Sequence, residues 1–116
     1  MKTLKLSIQH RGDNSTTFTG RPQGKGVRKN LNLSDEDKNK DPVTITIPAG
    51  TTSFNPSFYL GLFFDSILYL KGIDNFKKKY QIQFEDTDTD IVGYLKENIA
   101  DCERQASNEY NRNSRI

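Results

Sequence analysis

Three segments of the chain alternate apolar and polar residues with a period of two. Leu4, Leu6 and Ile8 interleave with Lys5, Ser7 and Gln9; Val43, Ile45 and Ile47 with Thr44 and Thr46; Tyr80, Ile82 and Phe84 with Gln81 and Gln83. Successive side chains of a strand point to opposite faces, so each segment predicts a strand with one apolar face. A short fourth strand is expected near Thr16 to Thr19, after the turn Arg11-Gly12-Asp13-Asn14, and the first two strands could then form an edge hairpin.

Apolar residues three and four apart mark the helices. The clearest begins at Pro56, a residue suited to a first helical turn, and carries Phe58, Leu62, Phe63, Ile67 and Leu70 as far as about Lys71, where Gly72 supplies a stop. Leu60, Phe64 and Leu68 widen its stripe, which predicts a central, buried helix. A last helix starts between Thr87 and Asp90 and shows Ile91, Leu95, Ile99 and Cys102 on one face. A weaker one spans Gly26 to Leu33. Ser34 to Asp41 has no apolar residue and reads as a solvated loop, and the chain after Ala106 loses periodicity and reads as a fraying tail. The expectation is one α/β domain over residues 1–106 with a polar tail over 107–116. Its core is a mixed sheet with helices packed mainly on one face.

Composition narrows the function more than it names it. The 116 residues hold twelve Phe and Tyr, enough to fill one small core, and a mean hydropathy of −0.78 leaves polar loops around it. A net charge of +2 is low for a dedicated phosphate-backbone binder. The single cysteine, Cys102, cannot close an internal disulfide, and the first residues lack an apolar signal-peptide core, so a cytoplasmic setting is expected. The apolar run around Phe58 to Leu70 is broken by Gly61, Asp65 and Ser66 and falls short of the roughly 20 residues a membrane span needs. No membrane association is therefore expected.

Candidate chemistry is sparse. His10, the only histidine, sits at a strand end with no nucleophile or orienting acid in local sequence and reads as a surface turn residue. Cys102 has no partner at metal-ligand spacing and reads as a small buried apolar residue. Gly20 to Gly26 has one residue too few for a phosphate-binding loop and lacks the Ser or Thr that holds magnesium. It reads instead as a flexible turn feeding the helix near Val27, with Arg28 and Lys29 on the solvated side. Glu85 to Asp90 lacks the glycine of a calcium loop and reads as helix capping. No catalytic set, metal or cofactor is expected. The basic residues Arg21, Lys25, Arg28, Lys29 and Lys77 to Lys79 support one alternative, a nucleic-acid-associated accessory domain, although no aromatic and basic recognition motif accompanies them.

The most informative segment joins the middle strand to the long helix. Thr51 to Phe58 sets Ser53, Asn55 and Ser57 at a helix N-terminus, where they either cap and shape the helix entry or offer a site at which an added phosphate would meet free backbone N–H groups and the positive end of the dipole.

The helix start GKGVRKNL, the strand VTITIP, the stretch SFNPSFYLGLF and FKKKYQIQF leading to DIVGYLKENI together resemble the STAS-like family, which is similar to sulfate-transporter and anti-sigma-factor-antagonist domains. The likeness spans roughly residues 18–104. It implies a mixed four- to five-stranded sheet flanked by helices and a non-enzymatic, regulatory role. It also implies a protein partner such as a histidine-kinase-like ATPase, which in the broader group phosphorylates a Ser or Thr at the start of the helix after the central strand. By position Pro56 falls on that acceptor site and Phe58 replaces a glycine, leaving Ser57 as first acceptor candidate and Ser53 as second. The docking surface implied is Thr52, Ser53, Phe54, Asn55, Pro56, Ser57 and Tyr59.

Overall fold

A computed structural model describes residues 2–11 and 16–113. The described residues form two parallel sheets and five α-helices. Strands β1 (Lys2–Lys5), β3 (Val43–Ile47) and β5 (Tyr80–Phe84) form a three-stranded parallel sheet in the order β1-β3-β5. Two short strands, β2 (Thr17–Phe18) and β4 (Ser53–Phe54), pair in parallel apart from it. The helices are α1 (Arg21–Leu31), α2 (Leu33–Lys38), α3 (Pro56–Leu70), α4 (Ile73–Lys79) and α5 (Thr89–Asn113).

The fold is α/β as the alternation predicts, but the sheet is neither mixed nor four- to five-stranded. β1 does not turn back on β2 as a hairpin. It crosses over and pairs with β3, Leu4 opposite Ile45, while β2 pairs with β4. Residues 12–15, the turn on which the hairpin rested, lie outside the described residues. The first strand also stops short of Ile8, which falls in a 3-10 turn (Ile8–Arg11) and is 58% exposed.

The helical assignments change most around α1 to α2. Gly20 to Gly26 is no flexible turn: Pro22 opens α1 and Gly24 lies within it. Gly24 is there for packing. A Cβ at Gly24 would land on the carbonyl oxygen of Phe58 and 2.9 Å from the amide of Leu62, and one at Gly61 would land on the carbonyl of Arg21 and 3.0 Å from the amide of Lys25. The two glycines let the backbones of α1 and α3 touch. Asn32, in the left-handed region at φ 58°, then ends α1 and starts α2. The stretch expected to be a solvated loop thus contains a helix anchored by fully buried Leu33, with Glu36 and Asp37 turned inward onto partners.

Later elements follow the pattern more closely. α3 runs to Leu70 with Lys71 at φ 65° and Gly72 at φ 132° closing it, as the stop at Gly72 predicts. Lys77 to Lys79 form the last turn of α4, a helix the periodicity misses. Asp88 accepts from the amides of Asp90 and Ile91 and caps α5, in keeping with the capping reading. Leu95, Ile99, Cys102 and Ala106 bury one face of α5, which continues to Asn113, so the fraying expected after Ala106 is not seen.

Val43, Ile45 and Ile47 meet α3 and its neighbours in one core. Nine ring contacts link Phe18, Phe54, Phe58, Tyr59, Phe63, Phe76 and Tyr80 with centroids 5.0 to 6.4 Å apart, a continuous aromatic seam from β2 to β5.

Gly24→Ala and Gly61→Ala should each destabilise the fold by about 2 kcal/mol or more, because the added methyl meets backbone that cannot yield. Gly26→Ala, where nothing lies within 4 Å, should stabilise it by roughly 0.5–1 kcal/mol. Urea unfolding of the three variants reads the opposite signs.

Candidate functional site

The loop from β3 to α3 is built as a corner of two segments. Thr51 is fully buried, and its hydroxyl donates to the carbonyl of Pro48 at 2.8 Å while accepting from Arg11 Nη1 at 2.8 Å. The Thr52 amide donates to the carbonyl of Thr16 (2.8 Å), and the two threonine hydroxyls lie 2.7 Å apart. The Asn55 amide donates to the carbonyl of Phe18, and the amide of Phe54 to Asn98 Oδ1 at 2.5 Å. Residues 16–18 and helix α5 therefore fix the bend from either side.

Asn55 caps α3, its Oδ1 accepting from the amide of Ser57 at 2.8 Å. That same oxygen accepts from the hydroxyl of Ser57 at 2.5 Å, and Ser57 Oγ accepts from the amide of Gly20 at 3.3 Å. Ser57 thereby joins the first turn of α3 to the residue preceding α1.

Of the positions singled out in the sequence, Thr52 is exposed and Ser53, Asn55, Pro56 and Ser57 are half-buried, so these five form one hydroxyl- and amide-lined surface with Thr16 beside it. Phe54 and Tyr59 do not belong to it. Both are fully buried in the aromatic seam and offer no surface to a partner. The apolar periodicity of a helix that is buried nearly all round cannot tell its outward residues from its inward ones. His10 is partly exposed, as a turn residue should be, and accepts from the amide of Ser7 through Nδ1 at 3.1 Å.

A second polar cluster was invisible in the sequence. Arg28, expected on the solvated side of α1, is 8% exposed and inserts between α1, α2 and α3. Its guanidinium donates to the carbonyl of Leu62 (3.1 Å), the hydroxyl of Ser66 (2.7 Å) and Asp37 Oδ2 (2.8 Å). Asp37 Oδ1 accepts from the Tyr80 hydroxyl at 2.6 Å. Burial first, and then the bond to Asp37, holds the Tyr80 phenol well above its ordinary range. The adjacent Asp65 and Ser66 within the apolar run of α3 were the available clue, since a buried hydroxyl needs a partner. Asp65 Oδ2 lies 4.0 Å from Arg28 Nε, and the cluster clamps α1, α2, α3 and β5 together.

The basic residues are largely committed as well. Arg21 is paired with Glu109 at 2.9 Å and lies over the Phe64 ring, Lys77 faces Glu103 at 3.5 Å, and Lys79 donates to the carbonyls of Asn39 and Asp41. With Arg28 buried, Lys25, Lys29 and Lys78 of that group are exposed without such a partner among the described residues. Among the described residues no cluster of three His, Cys, Asp or Glu could hold a metal ion, and no helix is long and apolar enough to cross a membrane.

Fold and site together define a two-layer α/β domain whose parallel sheet delivers its central strand, through a hydroxyl-rich bend, into a buried helix. No family model, curated protein or solved structure matches the chain.

Two outcomes follow from these contacts. Asp37→Asn should cost about 3 kcal/mol, because it leaves a buried guanidinium with only the exposed Asp65 carboxylate, 4.0 Å from its Nε, as counter-charge; thermal unfolding measures it. Burial pushes the Cys102 thiol from 9.0 up to about 12, and its neutral form donates toward the carbonyl of Phe54 at 3.5 Å. The unfolded chain ionises this thiol first. Its contribution to stability is complete below pH 9 and disappears as pH rises from there toward 12. Urea midpoints at neutral and alkaline pH should show that fall, and Cys102→Ala should show a smaller one.

Proposed function

We propose that this chain is a non-enzymatic, STAS-like regulatory domain that docks onto a protein partner of the histidine-kinase-like ATPase class. The docking surface is Thr52, Ser53, Asn55, Pro56 and Ser57, with phosphorylation of Ser57 as its gate and Ser53 as second acceptor. The observation that carries this reading is the position of the Ser57 hydroxyl. It stands partly exposed on the first turn of the helix that follows the central strand, linked to Asn55 and to the amide of Gly20.

A phosphate on Ser57 would remove the proton that Asn55 accepts and bring a near-dianion to the N-terminus of a 15-residue helix, where the dipole favours it. It would also displace the link to Gly20, so the starts of α1 and α3 would no longer share a contact. A charge and a local rearrangement on the docking surface suffice to change partner affinity. No specific contact favours nucleic acid, since most of the residues that reading requires are held by acids or carbonyls of the chain itself.

Affinity purification from the native cell, with ATP added to the captured complex and intact mass measured, checks both parts. One added phosphate is expected on the wild type and none on Ser57→Ala. A phosphate that persists in both Ser57→Ala and Ser53→Ala would remove the gate from the proposal. Ser57→Asp should weaken partner binding about tenfold, a change of about 1.4 kcal/mol; unchanged affinity would count against docking at this corner.

A further inference from the structure

The two edges of the main sheet differ. β1 carries Lys2 and Lys5, charged residues of the kind that discourage a passing strand. β5 reads Tyr80-Gln81-Ile82-Gln83-Phe84, without a charge, and among the described residues no strand lies on its outer side. Helix α5 does not close this edge. A groove of about 330 Å3 runs between them, lined by Tyr80, Ile82 and Phe84 on the strand and by Lys96, Ile99 and Glu103 on the helix. Ile82 and Phe84 point to the core side yet remain half-buried, because nothing flanks them.

The sequence around this edge is symmetric about Ile82. Gln81 mirrors Gln83 and Tyr80 mirrors Phe84, while the charges on either side are opposite: Lys79 mirrors Glu85 and Lys78 mirrors Asp86. A strand with these properties suits itself in the antiparallel sense. Side-by-side parallel pairing would bring basic end beside basic end and acidic end beside acidic end. Antiparallel pairing about Ile82 sets Gln81 against Gln83, and it brings the basic last turn of α4 in one copy toward the acidic residues that follow β5 in the other.

The backbone agrees with that register. The amide of Glu85 donates to Ile47 in β3, so by alternation the N–H and C=O groups of Ile82 and Phe84 face outward. Ile82 can exchange both bonds with Ile82 of a second copy. The Phe84 amide can donate to the carbonyl of Tyr80 across the axis, while the amide of Tyr80 is already given to Phe76 at the end of α4.

We propose that this chain forms a two-fold homodimer by antiparallel pairing of β5 with β5 of a second copy, making one continuous six-stranded sheet. The occupant of the edge is a second copy because the strand is complementary to itself in shape, amide and charge. Such an isologous contact closes after two chains and leaves no further free β5 edge. It is independent of the corner at Ser57.

Sedimentation across a dilution series should give a species of twice the 13.3 kDa chain mass. Gln81 and Gln83 are exposed on the outer face, so replacing them leaves the core untouched. Gln81→Lys with Gln83→Lys places like charges opposite each other and should weaken self-association about tenfold, as should the corresponding double Glu variant. Mixing the Lys and Glu variants should restore a heterodimer at least as tight as the wild type. Circular dichroism and unfolding should match the wild type in each case. The register has its own readout. Gln81 of one copy faces Gln83 of the other as a non-hydrogen-bonded pair, close enough for a disulfide. Mild oxidation of a mixture of Gln81→Cys and Gln83→Cys chains should cross-link the two kinds to each other, with buried Cys102 silent. A wild type that stays monomeric at every concentration, a dimer indifferent to the charge changes, or cross-linking only between identical variants would each overturn the proposal.

Discussion

The contact on which the rest of the molecule depends is backbone against backbone, where α1 crosses α3 at Gly24 and Gly61. Two helices meeting through side chains stand 8–10 Å apart, and removing both Cβ atoms lets them close further. That closeness brings the start of α1 beside the start of α3, so the amide of Gly20 reaches Ser57. It also brings Arg28, one turn beyond Gly24, within hydrogen-bond distance of a carbonyl and a hydroxyl on α3. A wider crossing would lose the position of the corner and leave a guanidinium buried without partners.

Arg28 converts this helix pair into a three-layer tie. Its bond to Asp37 fixes the short helix α2, and Asp37 in turn holds the Tyr80 hydroxyl at the start of β5. A six-residue helix is too short to be stable alone, so α2 exists because Leu33 is buried and Asp37 and Glu36 are paired, the latter with Lys2 at the start of β1. Polar burial of this kind adds little net energy compared with an apolar replacement. It does admit only one arrangement, since every alternative strands a charge. The aromatic seam runs parallel to this tie from Phe18 to Tyr80, so helices and sheet are joined by both a directional and a non-directional link.

What the sequence made legible follows from which patterns are local. The three main strands, the long helix with its stop at Gly72, and the inner face of α5 each depend on neighbours along the chain, and each is present. The pairing of β1 with β3 depends on a partner some forty residues away, and a two-residue strand carries no period at all. Glycine misled most: Gly24 has the same letter in a turn and in a close helix crossing. The charged stretch after Leu33 misled for a related reason, since Asp37 is polar in sequence and buried in space only because Arg28 and Tyr80 meet it. At the corner, position was legible but orientation was not, which is why Phe54 and Tyr59 belong to the core and Ser57 to the surface.

The outer face of the sheet is polar and needs no cover. All five residues of β3 are buried, yet Thr44 and Thr46 point away from the apolar core. Register sets Thr3 and Gln81 beside Thr44, and Lys5 and Gln83 beside Thr46, so two rows of polar side chains flank the central strand. Cross-strand neighbours lie about 5 Å apart, close enough for the longer side chains to shelter the threonines without a helix above them. That face therefore has no apolar surface to hide and calls for no second layer of helices. A two-layer domain of this kind leaves a polar sheet face, two strand edges and the ends of its helices, and of these only the β5 edge and the start of α3 join exposed groups to a defined, rigid geometry.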